Sequence, residues 1–140
     1  MRKNIPLALF IIVLLSAALA AWIAFPLREH QYKASDKLSY WFYTPDTLKN
    51  IHYHLEFVDF QYSYDIDDQR TLLVMTWEKT GNTIALEKDL QNFLQTTGQV
   101  RRYNCAWTYH DPNDYSSHYE RYCLNRKSDT LELEYYKIEK

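Results

Sequence analysis

His110, His118 and Glu120 are the residue types of an open metal site, two imidazoles and a carboxylate with a position left for water. They lie in the stretch RRYNCAWTYHDPNDYSSHYERYCLN, from Arg101 to Asn125, which also carries both cysteines of the chain, Cys105 and Cys123. An antiparallel register that sets Cys105 against Cys123 also sets Trp107 against Arg121, Tyr109 against Tyr119 and His110 against His118, with Glu120 on the His118 side. A small metal-dependent hydrolase is the alternative reading of the chain, and it requires those three side chains to converge. Facing residues splay apart at the open end of a hairpin, however, and histidine is common in solvated loops. The stretch therefore reads first as a disulfide-stapled hairpin with a polar rim. Its odd-numbered face, Tyr103, Cys105, Trp107, Tyr109, Tyr119 and Cys123, is the expected core side.

Other constellations carry less. His52 and His54 share a face if their segment is a strand, but no third ligand accompanies them. DIDDQR, Asp65 to Arg70, starts like a calcium loop, yet Arg70 stands where an EF-hand needs glycine and Thr76 where it needs glutamate. Ser116, Ser117, His118 and Asp114 supply the residue types of a hydrolytic triad without a nucleophile elbow. Only two glycines occur, which argues against glycine-rich phosphate loops. No pattern assigns a catalytic residue, a metal or a cofactor.

The elements that must position these residues read as an α+β domain. TPDTLKNI starts a short helix with Thr44 as cap and Pro45 in the first turn. HYHLEFVDFQYSYDID alternates but changes phase at Phe57 and Val58, as a bulged strand does. TLLVMTWEK is apolar on both faces and reads as a central strand. Leu86, Leu90, Phe93 and Leu94 recur at helical spacing, with Asn82 or Thr83 to cap the helix and Gly98 to end it. Strands over about residues 100–109, 118–124 and 130–138 complete the order α-β-β-α-β-β-β. The expectation is a largely antiparallel five-stranded sheet with one main covering helix.

Nineteen uncharged residues, Leu7 to Phe25, follow Arg2 and Lys3. A helix of that length approaches the ~30 Å apolar core of a bilayer. The expected organisation is a signal anchor at residues 1–26, a tether at 27–39 and an extracytoplasmic domain at 40–140. This places a single-pass protein in the inner membrane, its membrane contact running from Leu7 to Phe25 and its C-terminal domain in the periplasm. The alternative is a chain secreted or periplasmic after cleavage behind Ala18–Leu19–Ala20. YWFY, Tyr40 to Tyr43, reads as packing within the domain rather than as an interfacial aromatic belt.

After Phe25 the chain has 14 Lys and Arg against 18 Asp and Glu, and no basic stripe for phosphates. Nucleic acid is not an expected partner. The expected function is non-enzymatic binding of a protein partner in the cell envelope, as an inhibitor, immunity protein or accessory subunit. Acidic and tyrosine-rich surface carries that expectation, with Asp114 and Tyr115 at the hairpin tip and Asp59 and Asp65 on the first long strand as contact residues.

Overall fold

The computed structural model describes residues 5–24, 29–78, 81–102, 105–109 and 120–139. In chain order these form α1 (Ile5–Ala24), β1 (Glu29–Lys33), α2 (Lys37–Tyr43), α3 (Asp46–Lys49), a 3-10 turn (Leu55–Phe57), β2 (Val58–Asp65), β3 (Arg70–Glu78), α4 (Thr83–Thr96), β4 (Gln99–Arg101), β5 (Ala106–Tyr109), β6 (Glu120–Arg126) and β7 (Thr130–Ile138).

The strands make one antiparallel sheet in the order β1-β2-β3-β7-β6-β5-β4. The α+β character holds, but the described residues form seven strands rather than five. β1 lies in the segment read as a tether. β4 and β5 are two arms of a hairpin, Gln99 opposite Tyr109 and Arg101 opposite Trp107, where the sequence reads as one strand. Both extra strands are short, and neither has enough residues for its alternation to be seen.

The chain lays down β1, β2 and β3 as a meander, then crosses to the far edge and returns through β4, β5, β6 and β7. The crossing covers four strand spacings, about 19 Å at ~4.8 Å each. α4 has 14 residues, about 21 Å at ~1.5 Å per residue, so one helix of this length suits the return. Asn82 caps it by accepting the Ala85 N–H at 3.0 Å. Gly98, at φ 84°, takes the left-handed conformation that ends it. Leu86, Leu90 and Leu94 are buried along its inner face.

One face of the sheet is the core. Tyr32, Phe60, Met75, Leu133 and Leu124 form a row across five strands, each opposite the next in register. α4 covers the β7-to-β4 side, while α2 and the segment after it cover β1 and β2. The opposite face has no covering layer among the described residues. It carries charged and polar rows, as in Lys33–Asp59–Thr76–Glu132.

α1 forms, and its side chains from Leu7 to Trp22 are exposed. No helix among the described residues is long and apolar enough to cross a membrane. This corrects the expected transmembrane anchor and, with it, the single-pass inner-membrane localisation.

Two local expectations also change. The phase change at Val58 is the start of β2, because Leu55–Phe57 is a 3-10 turn entered through His54 at φ 48°. His52 and His54 therefore do not share a strand face. Thr44 ends α2 rather than starting α3, and its buried hydroxyl pairs with that of Tyr32 at 2.9 Å.

Candidate protein-binding surface

Asp36 starts α2 by accepting the Ser39 N–H at 3.2 Å and the Ser39 hydroxyl at 2.6 Å. The Ser39 hydroxyl, with its N–H, holds the Asp36 carboxyl below the usual range. Pro45 stops α2 because the residue before a proline avoids helical angles, and Thr44 is extended there at ψ 124°. A helix of seven residues is too short to be stable alone, so tertiary packing must hold it.

Tyr40 and Tyr43 supply that packing. Tyr40 meets Phe60 edge-on at 5.6 Å, and Tyr43 contacts Tyr62 at 4.9 Å and His30 at 4.7 Å. Tyr32 stacks on Phe60 at 4.9 Å between them. Aromatic pairs at these separations contribute about 0.5 to 1.5 kcal/mol each beyond the area they bury. A hydrogen bond between His30 Nε2 and the Ser39 hydroxyl, at 3.0 Å, adds to the packing.

With the two tyrosines turned in, Leu38, Trp41 and Phe42 are turned out. They stand at i, i+3 and i+4 on one face and are 58%, 64% and 57% exposed. Trp41 and Phe42 meet edge to face at 4.8 Å. Lys49 lies 5.9 Å over the Trp41 ring while donating to Asp46 at 2.8 Å, which holds the Asp46 carboxyl below its ordinary value. The result is an apolar stripe with a charged border on a helix pinned from behind. YWFY thus divides, two residues packing as expected and two facing solvent. The signal was present in KLSYWFY, which is apolar on both sides of a helix that can bury only one.

The acidic candidates are engaged within the chain. Asp59 lies on the uncovered face and pairs with Lys33 at 3.3 Å. Asp65 closes the β2–β3 turn, accepting the N–H groups of Asp67 at 3.0 Å and Asp68 at 3.3 Å and a bond from Arg70 at 3.2 Å. Arg70 also pairs with Asp68. The Asp68 N–H, helped by Arg70 and the Asp67 N–H, holds the Asp65 carboxyl below the usual range. Asp65 therefore has a turn-forming role that its sequence context did not reveal.

A pH test follows from that role. A carboxyl whose folded pKa is depressed contributes stability that is present above its unfolded value, about 3.9, and lost as pH falls through the folded value. Asp65→Asn is expected to be less stable than wild type at pH 6, with the difference shrinking when pH is lowered to about 2, in urea titrations at both pH values. A constant difference at the two pH values would show that the Asp65 charge does not stabilise the turn.

Asp114, Tyr115, His110 and His118 lie outside the described residues. Glu120 is described, and it accepts the Tyr122 hydroxyl at 3.2 Å. No group of three or more His, Cys, Asp or Glu suited to a metal occurs among the described residues. Cys105 and Cys123 are disulfide-bonded, with Cα atoms 4.6 Å apart. The register is shifted by one from expectation, however. Ala106 faces Cys123 and Trp107 faces Tyr122. Cys105 sits at the bend before β5, and its carbonyl accepts the Leu124 N–H at 3.0 Å. Because side chains alternate, that shift gives Tyr122 and Leu124 to the core and places Cys123 on the other face. The odd-face expectation holds for Trp107 on β5 and reverses on β6.

The disulfide fits an oxidising extracellular compartment. Comparison with protein-family models, curated proteins and solved structures gives no match to this chain.

Proposed function

We propose that the chain is a non-enzymatic protein-binding domain that docks a partner protein on the outward face of α2, in the role of an inhibitor, immunity protein or accessory subunit. The observation that carries this reading is the exposure of Leu38, Trp41 and Phe42 together on one helix face. Isolated apolar residues are ordinary on a surface, whereas large aromatic side chains gathered behind a polar border are the composition of interface centres. Asp36, Lys37, Asp46 and Lys49 supply that border. The inner face of α2 is already fixed by Tyr40 and Tyr43, so little order has to be gained on binding. The disulfide favours a partner met where thiols oxidise.

Photo-crosslinking from position 42 in cells, with position 88 on α4 as the control, identifies the partner. Trp41→Ala with Phe42→Ala should then weaken its binding by at least tenfold, the scale of aromatic hot spots. The fold should be spared, with stability within about 0.5 kcal/mol of wild type. A crosslinked partner that binds the double variant as tightly as wild type would overturn the assignment of this surface.

A further inference from the structure

We infer that β1 is a self-complementary edge through which two copies of the chain pair antiparallel about a two-fold axis at Gln31, extending the sheet across the dimer. This goes beyond partner docking on α2 and uses different residues.

The sheet has two edges, β1 and β4. β4 has three residues, Gln99–Arg101, whereas β1 has five. On β1, the one backbone hydrogen bond outside the β2 ladder among the described residues is from the Asp36 N–H to the Lys33 carbonyl, at 3.0 Å. A residue in a strand directs its N–H and C=O to the same side. Lys33 therefore presents its backbone groups away from β2, and by the period of two Gln31 and Glu29 do the same. Among the described residues the edge thus offers the N–H and C=O of Glu29 and Gln31 and the N–H of Lys33 in hydrogen-bonding phase, while the Lys33 carbonyl is already engaged by the Asp36 N–H.

Charge then selects the partner strand and its direction. β1 reads EHQYK, with Glu29 and Lys33 four residues apart on the uncovered face and Gln31 midway. Antiparallel pairing centred on Gln31 sets Glu29 against Lys33 of the second copy, Lys33 against its Glu29, and the two glutamines against each other. His30 and Tyr32, on the core side, then face each other's counterparts and extend the aromatic row. In-register parallel pairing would set Glu29 against Glu29 and Lys33 against Lys33, which like-charge repulsion disfavours. Lys33 is already shared with Asp59 and both are exposed, so these charges select register more than they add affinity. Charged edges ordinarily block strand addition. Here the two signs block the wrong copies and admit one arrangement, the isologous contact of a two-fold dimer.

The test must separate this contact from association through the exposed apolar side chains of α1, so the full chain is handled in a non-ionic detergent that covers them. On the two-fold axis, Gln31 Cα atoms of the two copies should lie about 5.5 Å apart, within disulfide reach. The two Lys33 Cα atoms should be separated by about 14 Å or more along the strand direction. In a glutathione redox buffer, Gln31→Cys is expected to give at least tenfold more crosslinked dimer than Lys33→Cys. Adding Lys33→Glu to Gln31→Cys should reduce crosslinking at least fivefold, and combining it further with Glu29→Lys should restore it. Equal crosslinking from positions 31 and 33 would overturn the proposal, as would reversal of the lysine charge without effect. Crosslinking that the paired reversal does not restore would also overturn it, pointing to an edge that accepts strands without self-complementarity.

Discussion

Replacing Cys105 and Cys123 together with alanine is expected to lower stability by about 2 to 5 kcal/mol, the range for a native bridge in a small exported domain. The bridge joins residues 18 apart in sequence, and cross-linking a loop of about that size removes roughly 3 kcal/mol of chain entropy from the unfolded state. Its position adds a local reason. Among the described residues β5 and β6 share two registered pairs, Ala106 with Cys123 and Trp107 with Tyr122. β4, among the described residues, pairs with the rest of the sheet only through β5, so the staple helps hold the β4–β5 hairpin in place. Hydrogen exchange in the double variant should therefore accelerate first in Gln99–Tyr109, with β2 and β3 least affected. Urea denaturation of the oxidised wild type and the double variant measures the global effect. A loss below about 1 kcal/mol would show that the strand ladder and α4 hold the edge without the bridge.

Trp77→Ala should cost about 3 to 5 kcal/mol, as expected when a large buried aromatic side chain is truncated. Trp77 is fully buried on β3, between Val58 and Leu131 in register. Its indole N–H donates to the Tyr53 carbonyl at 3.0 Å, tying the segment before β2 down to the sheet. Truncation opens a cavity and also leaves that carbonyl without its donor. Trp41→Ala changes the same residue type at an exposed position and should stay within about 0.5 kcal/mol of wild type. Comparing the two variants' denaturation midpoints isolates burial from residue chemistry. If the Trp77 loss came within 1 kcal/mol of the Trp41 loss, the assignment of Trp77 to the core would be wrong.

The sequence alone determined the elements whose signal is local or periodic. Leu86, Leu90, Phe93 and Leu94 marked the buried face of α4, and Asn82 and Gly98 marked its ends, because capping and left-handed termination depend on residues within one turn. TLLVMTWEK was legible as a central strand because it is apolar on both faces, and β3 indeed lies between β2 and β7. The cysteine pair was legible from its symmetric placement around a polar loop.

The tertiary structure decided what depends on distant partners. β1 becomes a strand by pairing with β2, and a five-residue segment of mixed charge shows no alternation that would announce this. The β5–β6 register was settled one step from the symmetric expectation, since the Cys105 bend and the core's demand for Tyr122 and Leu124 outweigh a direct opposition of the cysteines. Asp65, named from the sequence as a contact residue, is also a turn anchor, because Asp67, Asp68 and Arg70 converge on it. Most consequentially for function, only the sheet could decide which side of α2 would be covered. Phe60 and Tyr62 claim Tyr40 and Tyr43, and that choice leaves Leu38, Trp41 and Phe42 facing outward. A helix apolar on both sides carries no internal instruction about which side to bury; the neighbour that fits supplies it.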